Sequence, residues 1–403
     1  MIPFSPPDIF PEIINEVTDT LNSGWITTGP KTKRFEKEIT SYTGAKSTVC
    51  VNSATAGLEL ILRWFGVGPG DEVIVPAYTY CASANVILHC GATPVMVDVG
   101  VDFNMDVSKV EALITSKTKV IIPVDFSGLP CDYNALNDLV NRRDIKSQFS
   151  AENDLQNKLG RILVLSDSAH SFGAQYDKKI AGSLTDVSVF SFHAVKNLTT
   201  SEGGAVCLNL EGFDNNEIYQ NLCIKSLHGQ NKDALAKTKK GSWKYDVIEA
   251  GYKWNMTDIQ ASIGLVGLKY YDERTLRRRN EIFKKYTDKL KPYDWAQVPD
   301  YKTTNKASSC HIFPLRIKGI SESQRDNIIE EIFNKEVSVN VHFPPLPLLS
   351  VYKNLGYRIS DYPVTYDNFS REISLPVYYN LSDAMIDQVI EAVVVSVNGI
   401  IEK

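Results

Sequence analysis

Short, continuously apolar runs recur through the first half of this chain, each followed by a helical pattern, and that alternation admits few folds. STVCV at 47–51 leads through Asn52-Ser53 into the helical ATAGLELILRWFG, and the turn-forming GPGD at 68–71 delivers the chain into EVIVPAY. A helix over SANVILHC is stopped by Gly91, TPVMVDV follows as a strand, and a helix over 107–115 precedes KVIIPVDF. ILVLSD, DVSVFSF and AVCLNL continue the series. Strands apolar at consecutive rather than alternate positions must be covered on both faces. The expected fold class is therefore α/β, a mostly parallel sheet between layers of helices.

At 403 residues the chain exceeds what one ordinary core supports. Beyond Asn255 the character changes: a long charged helical stretch (DIQASIGLVGLKYYDERTLRRRNEIFKKYTDKLK) is followed by short strands at SCHIFPLRI and VSVNVHF and a closing helix, as in a smaller α+β domain. The expected division is 1–250 and 251–403, with the first 25 residues available to pack on the smaller domain. Residues 142–161 (RRDIKSQFSAENDLQNKLGR) are polar, interrupt what should be a short helix-to-strand connection, and read as a surface insertion.

The formal net charge of −5 carries no basic stripe of the kind that follows nucleic-acid phosphates. The apolar strand runs VIVPA, VIIPV and ILVL are far shorter than a bilayer span, and MIPFSPPDIF lacks the basic and apolar regions of a leader. The expectation is a cytoplasmic protein without a membrane or nucleic-acid partner. Seven cysteines, at 50, 81, 90, 131, 207, 223 and 310, never fall as C-x-x-C, so neither a disulfide framework nor a metal centre is expected.

Three segments carry chemistry. In DVSVFSFHAVKNLTTSEGG (186–204) a buried strand delivers Ser191 and then Lys196 into a hydroxyl-rich loop closed by two glycines, so an amine emerges where α/β folds hold ligands. Lys196 alone would read as a surface lysine; its neighbours make the difference. In ILVLSDSAHSFGA the carboxylate of Asp167 follows a wholly apolar strand, where it either meets a buried cation or caps the next turn. In VNSATAGLEL a strand gives way to small residues and a helix, so the N–H groups of Ala54 and Thr55 are open to an anion, unless Asn52 or Ser53 simply caps the helix.

The order N-S-x-T-A, P-A-Y-T-Y, G-A-T-P-V-M-V-D, D-x-A-H-S-F-G-A and F-S-F-H-x-x-K-N-L-T-T-x-E-G-G resembles the DegT/StrS family of sugar aminotransferases. GWITTGPKTKRFEKEI, GYKWNMTDIQASIGLVGL and REISLPVYYNLS extend the likeness over nearly the whole chain. The resemblance implies the pyridoxal-phosphate (PLP) fold type I, like aspartate aminotransferase: a large cofactor domain and a smaller C-terminal one. It implies Lys196 as the Schiff-base lysine, Asp167 as partner of the pyridine nitrogen, and His170 beside the ring. Tyr80 would stack on the pyridine, while Ser191 and the N–H groups of Ala54 and Thr55 would hold the phosphate. Asn255 would reach the phosphate of a neighbouring subunit, making a homodimer with shared sites, and His311 and His342 would lie near donor and sugar. His193 is taken as structural.

The implied reaction is amination of a nucleotide-linked keto sugar by glutamate. The first expectation is a UDP-linked 4-keto-6-deoxy-N-acetylhexosamine in bacterial surface polysaccharide biosynthesis. A dTDP-linked 3-keto or 4-keto deoxysugar is the alternative. A PLP enzyme of the same fold acting on amino acids alone would need an arginine for the α-carboxylate, for which Arg316, Arg358 and Arg371 are available. A regulatory homologue without activity would have lost the cofactor positions, and they are present.

Overall fold

The computed structural model describes residues 1–232 and 244–401. Seven of the apolar runs form one sheet: β1 (Ser47–Val51), β2 (Glu72–Pro76), β3 (Thr93–Val97), β4 (Thr118–Ile121), β5 (Leu163–Asp167), β8 (Val187–Ser191) and β9 (Gly204–Leu208). Two short strands, β6 (Gln175–Tyr176) and β7 (Lys179–Ile180), lie between β5 and β8 in the chain and pair outside this sheet with β11 (Lys306–Ala307). The order is β1-β9-β8-β5-β4-β2-β3, with β9 antiparallel to both neighbours and the other pairs parallel. Every residue of β1, β4, β5 and β9 is buried, as continuous apolar runs require of a sheet covered on both faces.

A second core is built from helices Arg277–Leu290, Glu322–Phe333 and Asp383–Ile401 around the antiparallel sheet β10 (Ala296–Gln297), β12 (Phe313–Ile317) and β13 (Glu372–Leu375). Ile2 is buried in this core, and its N–H donates to Glu336 O at 2.7 Å. Helix Asp258–Lys269 contributes Ala261, Leu265 and Leu268 to the cluster around Phe35 and Phe192, and so ties the C-terminal half to the large sheet. Helix Asp383–Ile401 is long and apolar enough to cross a bilayer by those measures alone, which the strand runs are not. In the fold Ile386, Val389, Val393 and Val397 face the second core.

One expectation is corrected. VSVNVHF forms no strand; Val337 bridges Ile2 and Asn340 bridges Ser374, one pair each, before the segment turns toward the cavity described below. The 142–161 insertion lies mostly exposed at the surface, as expected, and also acts as a brace, with helices Arg143–Gln148 and Asp154–Leu159. The side-chain amides of Asn153 and fully buried Gln156 both donate to Phe65 O, at 3.1 and 3.0 Å, capping helix Ala54–Trp64 at its C-terminal end. Buried Lys119 is held there by Ser150 O and by Glu152 at 3.1 Å. The brace sits about 16 Å along that helix from its N-terminus, by the rise of 1.5 Å per residue over its 11 residues.

Candidate active site

A cavity of about 490 Å³ opens at the carboxyl ends of the parallel strands, lined by residues following β1, β2, β4, β5 and β8 and closed by His311, His342 and Phe343 from the C-terminal half. A hollow of about 740 Å³ elsewhere, lined by Tyr42, Asn137, Arg161 and Asn209 among others, contains none of the predicted residues, and its Arg161–Asp186 ion pair at 2.7 Å is already satisfied.

Asp167 ends β5, buried, with Oδ1 accepting from the Ala169 N–H at 3.1 Å and Oδ2 from Ser83 Oγ at 2.7 Å. The turn-capping reading of this residue holds through Oδ1, while Oδ2 is held by a neutral hydroxyl and meets no cation among the described residues. Burial raises its pKa; the Ser83 and Ala169 hydrogen bonds and the nearby Lys196 amine act against that.

Lys196 sits in the loop after β8, its N–H donating to His193 O at 2.9 Å. The loop is closed at its base by Phe192 N–H to Gly203 O and Thr200 N–H to Phe192 O, both 2.8 Å. A Cβ on Gly203 would lie 2.1 Å from Thr200 Oγ1, and one on Gly204 would lie 2.7 Å from Ala54 N, so both glycines are required for this close approach. Among the described residues the Lys196 amine makes neither a hydrogen bond nor an ion pair. It is accessible only in part, and desolvation brings its pKa down to about 8, with Asp167 pulling the other way.

Helix Ala54–Trp64 begins at the cavity. Ser53 caps it, accepting from Ala56 N–H at 3.1 Å, while the N–H groups of Ala54 and Thr55 have no acceptor among the described residues. An anion is favoured at such a terminus, and the Ser191 hydroxyl lines the same cavity. Tyr80 is 58% exposed at the mouth, its ring 5.5 Å from that of Phe343.

Three histidines converge with Lys196. His170 is buried, its Nδ1 has no partner, and its ring lies 4.3 Å from that of His311. His311 Nδ1 meets Asn197 Oδ1 at 2.9 Å, and Asn197 Nδ2 donates to Ser309 O at 2.8 Å; the Asn amide is thereby oriented, and His311 carries its proton on Nδ1. His342 Nδ1 lies 2.9 Å from Ser374 Oγ. Burial, and then the Lys196 charge, lowers the pKa of His170 and of His342, the latter to about 3; His311 is lowered by burial first, then by His170 and Lys196. All three imidazoles are held neutral.

Of the residues singled out from sequence, Lys196, Asp167, His170, Ala54, Thr55, Tyr80, Ser191, His311 and His342 line this one cavity. Asn255 does not. Its Nδ2 donates to Thr28 Oγ1 at 2.6 Å, and its Oδ1 is buried without a partner. His193, taken as structural, also lines the cavity, 3.7 Å from Glu202. Ser83, Thr79 and Phe343 were not foreseen; a serine in the first turn of an apolar helix carries no signal that it serves a carboxylate 84 residues on. None of Arg316, Arg358 and Arg371 lines the cavity: Arg316 is buried against Asn368 and the Phe103 ring, Arg371 pairs with Asp367, and Arg358 is exposed.

The residues fit PLP on their chemistry. A buried carboxylate lacks a cationic partner, an unengaged amine faces the same space, a helix N-terminus offers free N–H groups, and the buried His170 Nδ1 is unsatisfied.

Comparison with known proteins gives concordant findings. Residues 7–394 match the DegT/DnrJ/EryC1/StrS aminotransferase family. Spr1654 of Streptococcus pneumoniae, assigned as a sugar aminotransferase and solved in PMP and PLP forms, superposes in its PMP form with TM-score 0.95 at 48% identity, covering 99% of this chain and 100% of that one. Spore coat polysaccharide biosynthesis protein SpsC of Bacillus subtilis is 37% identical over 97% of this chain and 96% of its own. PseC of Helicobacter pylori, an aminotransferase involved in the biosynthesis of pseudoaminic acid, superposes with TM-score 0.87 at 26% identity, over 99% of each chain.

Proposed function

Since the chain belongs to the DegT/DnrJ/EryC1/StrS aminotransferase family, and is a sugar aminotransferase using PLP, we propose that it moves the amino group of glutamate onto a UDP-linked 4-keto-6-deoxy-N-acetylhexosamine in bacterial surface polysaccharide biosynthesis. The observation that carries the chemistry is the unengaged amine of Lys196 sharing a cavity with the buried carboxylate of Asp167. The likeness to PseC, involved in pseudoaminic acid biosynthesis, and to SpsC, a spore coat polysaccharide biosynthesis protein, supports a sugar acceptor and a polysaccharide destination.

In this reading Lys196 would hold the cofactor through its amine and would move the proton at the substrate carbon. Asp167 would keep the ring nitrogen protonated. The N–H groups of Ala54 and Thr55 with Ser191 would hold the phosphate, and His170 and Tyr80 would hold the ring. PLP when bound supplies an electron sink for the carbon that loses its proton. Neutral imidazoles at His170, His311 and His342 add no positive charge to compete with the ring for Asp167. We further infer a homodimer in which Asn255, which does not line its own cavity, donates through its side-chain amide N–H to the partner's phosphate site.

The test is to incubate purified protein with PLP, glutamate and the keto sugar. Sugar-dependent formation of 2-oxoglutarate is expected; a PLP-loaded protein that consumes no glutamate with UDP- or dTDP-linked keto sugars contradicts the reading. A second expectation concerns loading. Only the neutral amine bonds an aldehyde, so the rate of PLP uptake by the free protein should rise as pH increases through about 8 and level off above it, followed by visible absorbance. A limb near the ordinary lysine value of 10.5 would show that burial does not tune Lys196.

A further inference from the structure

From the chain of contacts Glu372–Ser374–His342 we infer a proton relay that links the active-site cavity to a carboxylate sealed inside the smaller core. This inference rests on the proposed transamination, and it assigns roles to two residues outside the cavity. Glu372 and Ser374 are adjacent inward positions of β13, both fully buried. Ser374 Oγ contacts Glu372 Oε1 closely and lies 2.9 Å from His342 Nδ1. The backbone of His342 is pinned as well, its N–H donating to Glu372 Oε2 at 3.1 Å and its carbonyl accepting from buried Tyr78 OH at 2.5 Å. His342 Nε2 bonds nothing among the described residues, and of the three residues only His342 lines the cavity.

With Glu372 ionised, Ser374 donates to it and must accept from His342, so the imidazole proton is on Nδ1 and Nε2 presents a lone pair. The incoming amino donor arrives as an ammonium and must lose a proton before its nitrogen can act as a nucleophile. That proton passes to Nε2, the Nδ1 proton passes to Ser374 Oγ, and the Ser374 hydroxyl proton passes to Glu372 Oε1. The ammonium becomes an amine, the carboxylate becomes a carboxylic acid, and the imidazole ends neutral with its proton on Nε2. Histidine alone could not store the proton, since burial and Lys196 push its pKa to about 3. Glu372 can, since burial pushes its pKa up to about 8, against the hydrogen bonds from Ser374 and His342 and the pull of Arg325 and Arg316. Arg316 faces it across the β12 ladder, Arg325 from helix Glu322–Phe333, and the Tyr78 phenol from the large sheet; Lys196, His170 and His311 face His342. Glu372 and Ser374 are thus positioning residues, and the cavity sees only His342.

The relay is read without relying on turnover. In ¹⁵N-histidine-labelled protein, with His342 assigned by its loss in His342→Gln, the Nδ1–H tautomer is expected above about pH 8 and the Nε2–H tautomer below it, with no imidazolium. In Glu372→Gln the amide carbonyl must face the His342 N–H, leaving its NH₂ toward Ser374, so the ring is locked as Nε2–H at every pH. The glutamate half-reaction of that variant should fall on the order of tenfold to a hundredfold with the limb near pH 8 lost, at the low end of general-base contributions. Ser374→Thr should retain the wild-type profile and Ser374→Ala should not. A pH-independent tautomer in the wild type, titration to imidazolium, or an unchanged pH profile in Glu372→Gln would overturn the relay. Absence of a visible PLP band would instead overturn the proposed function, while the tautomer of the free protein still answers the present question.

Discussion

Lys196→Ala is expected to reduce transamination on the order of 10⁴-fold or more, because one amine both bonds the cofactor and moves the proton, and each role alone is typically worth 10²–10⁴. The same substitution should leave the fold intact. Lys196 has its pKa lowered from 10.5 to about 8 by burial, so between those values the unfolded chain binds the proton that the folded chain has released. Its contribution to stability is therefore present above about 10.5 and lost as pH falls through about 8. Lys196→Ala protein without cofactor should accordingly melt higher than wild type at pH 7, and the difference should vanish in strong alkali. Activity within tenfold of wild type would show that another group carries the chemistry.

Asp167→Ala is expected to cost on the order of a thousandfold in kcat, the scale of removing a preorganised electrostatic partner from a dry site. The carboxylate is buried and held by Ser83 and Ala169, so its geometry is fixed before any ligand arrives. A loss confined to KM would mean that Asp167 only helps to bind. Because Asp167 attracts the Lys196 ammonium, removing it should also move the limb of PLP uptake below about pH 8, a direction that simple loss of packing would not produce. Ser83→Ala should follow in the same direction by a smaller factor, since one neutral hydrogen bond to the carboxylate is lost.

The large sheet was legible because its strands are short, apolar and β-branched, and β5 and β8 end in residues that an apolar interior would reject unless they had work there. Asp167 and Ser191 stand at such strand ends, and Lys196 follows within a loop whose two glycines announce close packing. The 142–161 insertion lies at the surface as its polarity suggests, but its contact with the fold was not legible: it is made in part by the amides of Asn153 and Gln156, which satisfy the last turn of a helix, and polar side chains do not register in a pattern built on hydrophobicity. VSVNVHF alternates like a strand yet finds only single bridges, because pairing depends on neighbours that the sequence does not reveal.

Within the cavity, His170 was read from its motif, whereas the link from His342 to Ser374 and Glu372 joins positions 30 residues apart through the fold alone. EISL reads as an ordinary half-polar strand, and nothing in it says that both polar residues point inward. Asn255 marks the other limit: within one chain its amide N–H donates to Thr28, and a role toward a second chain is not legible from its own surroundings.

Reduction of the PLP-loaded protein with borohydride, followed by peptide mapping, tests the central assignment most directly. The account predicts a single pyridoxyl tag on Lys196, lost in Lys196→Ala; a tag on any other residue, or none on protein that shows the visible band, would contradict it.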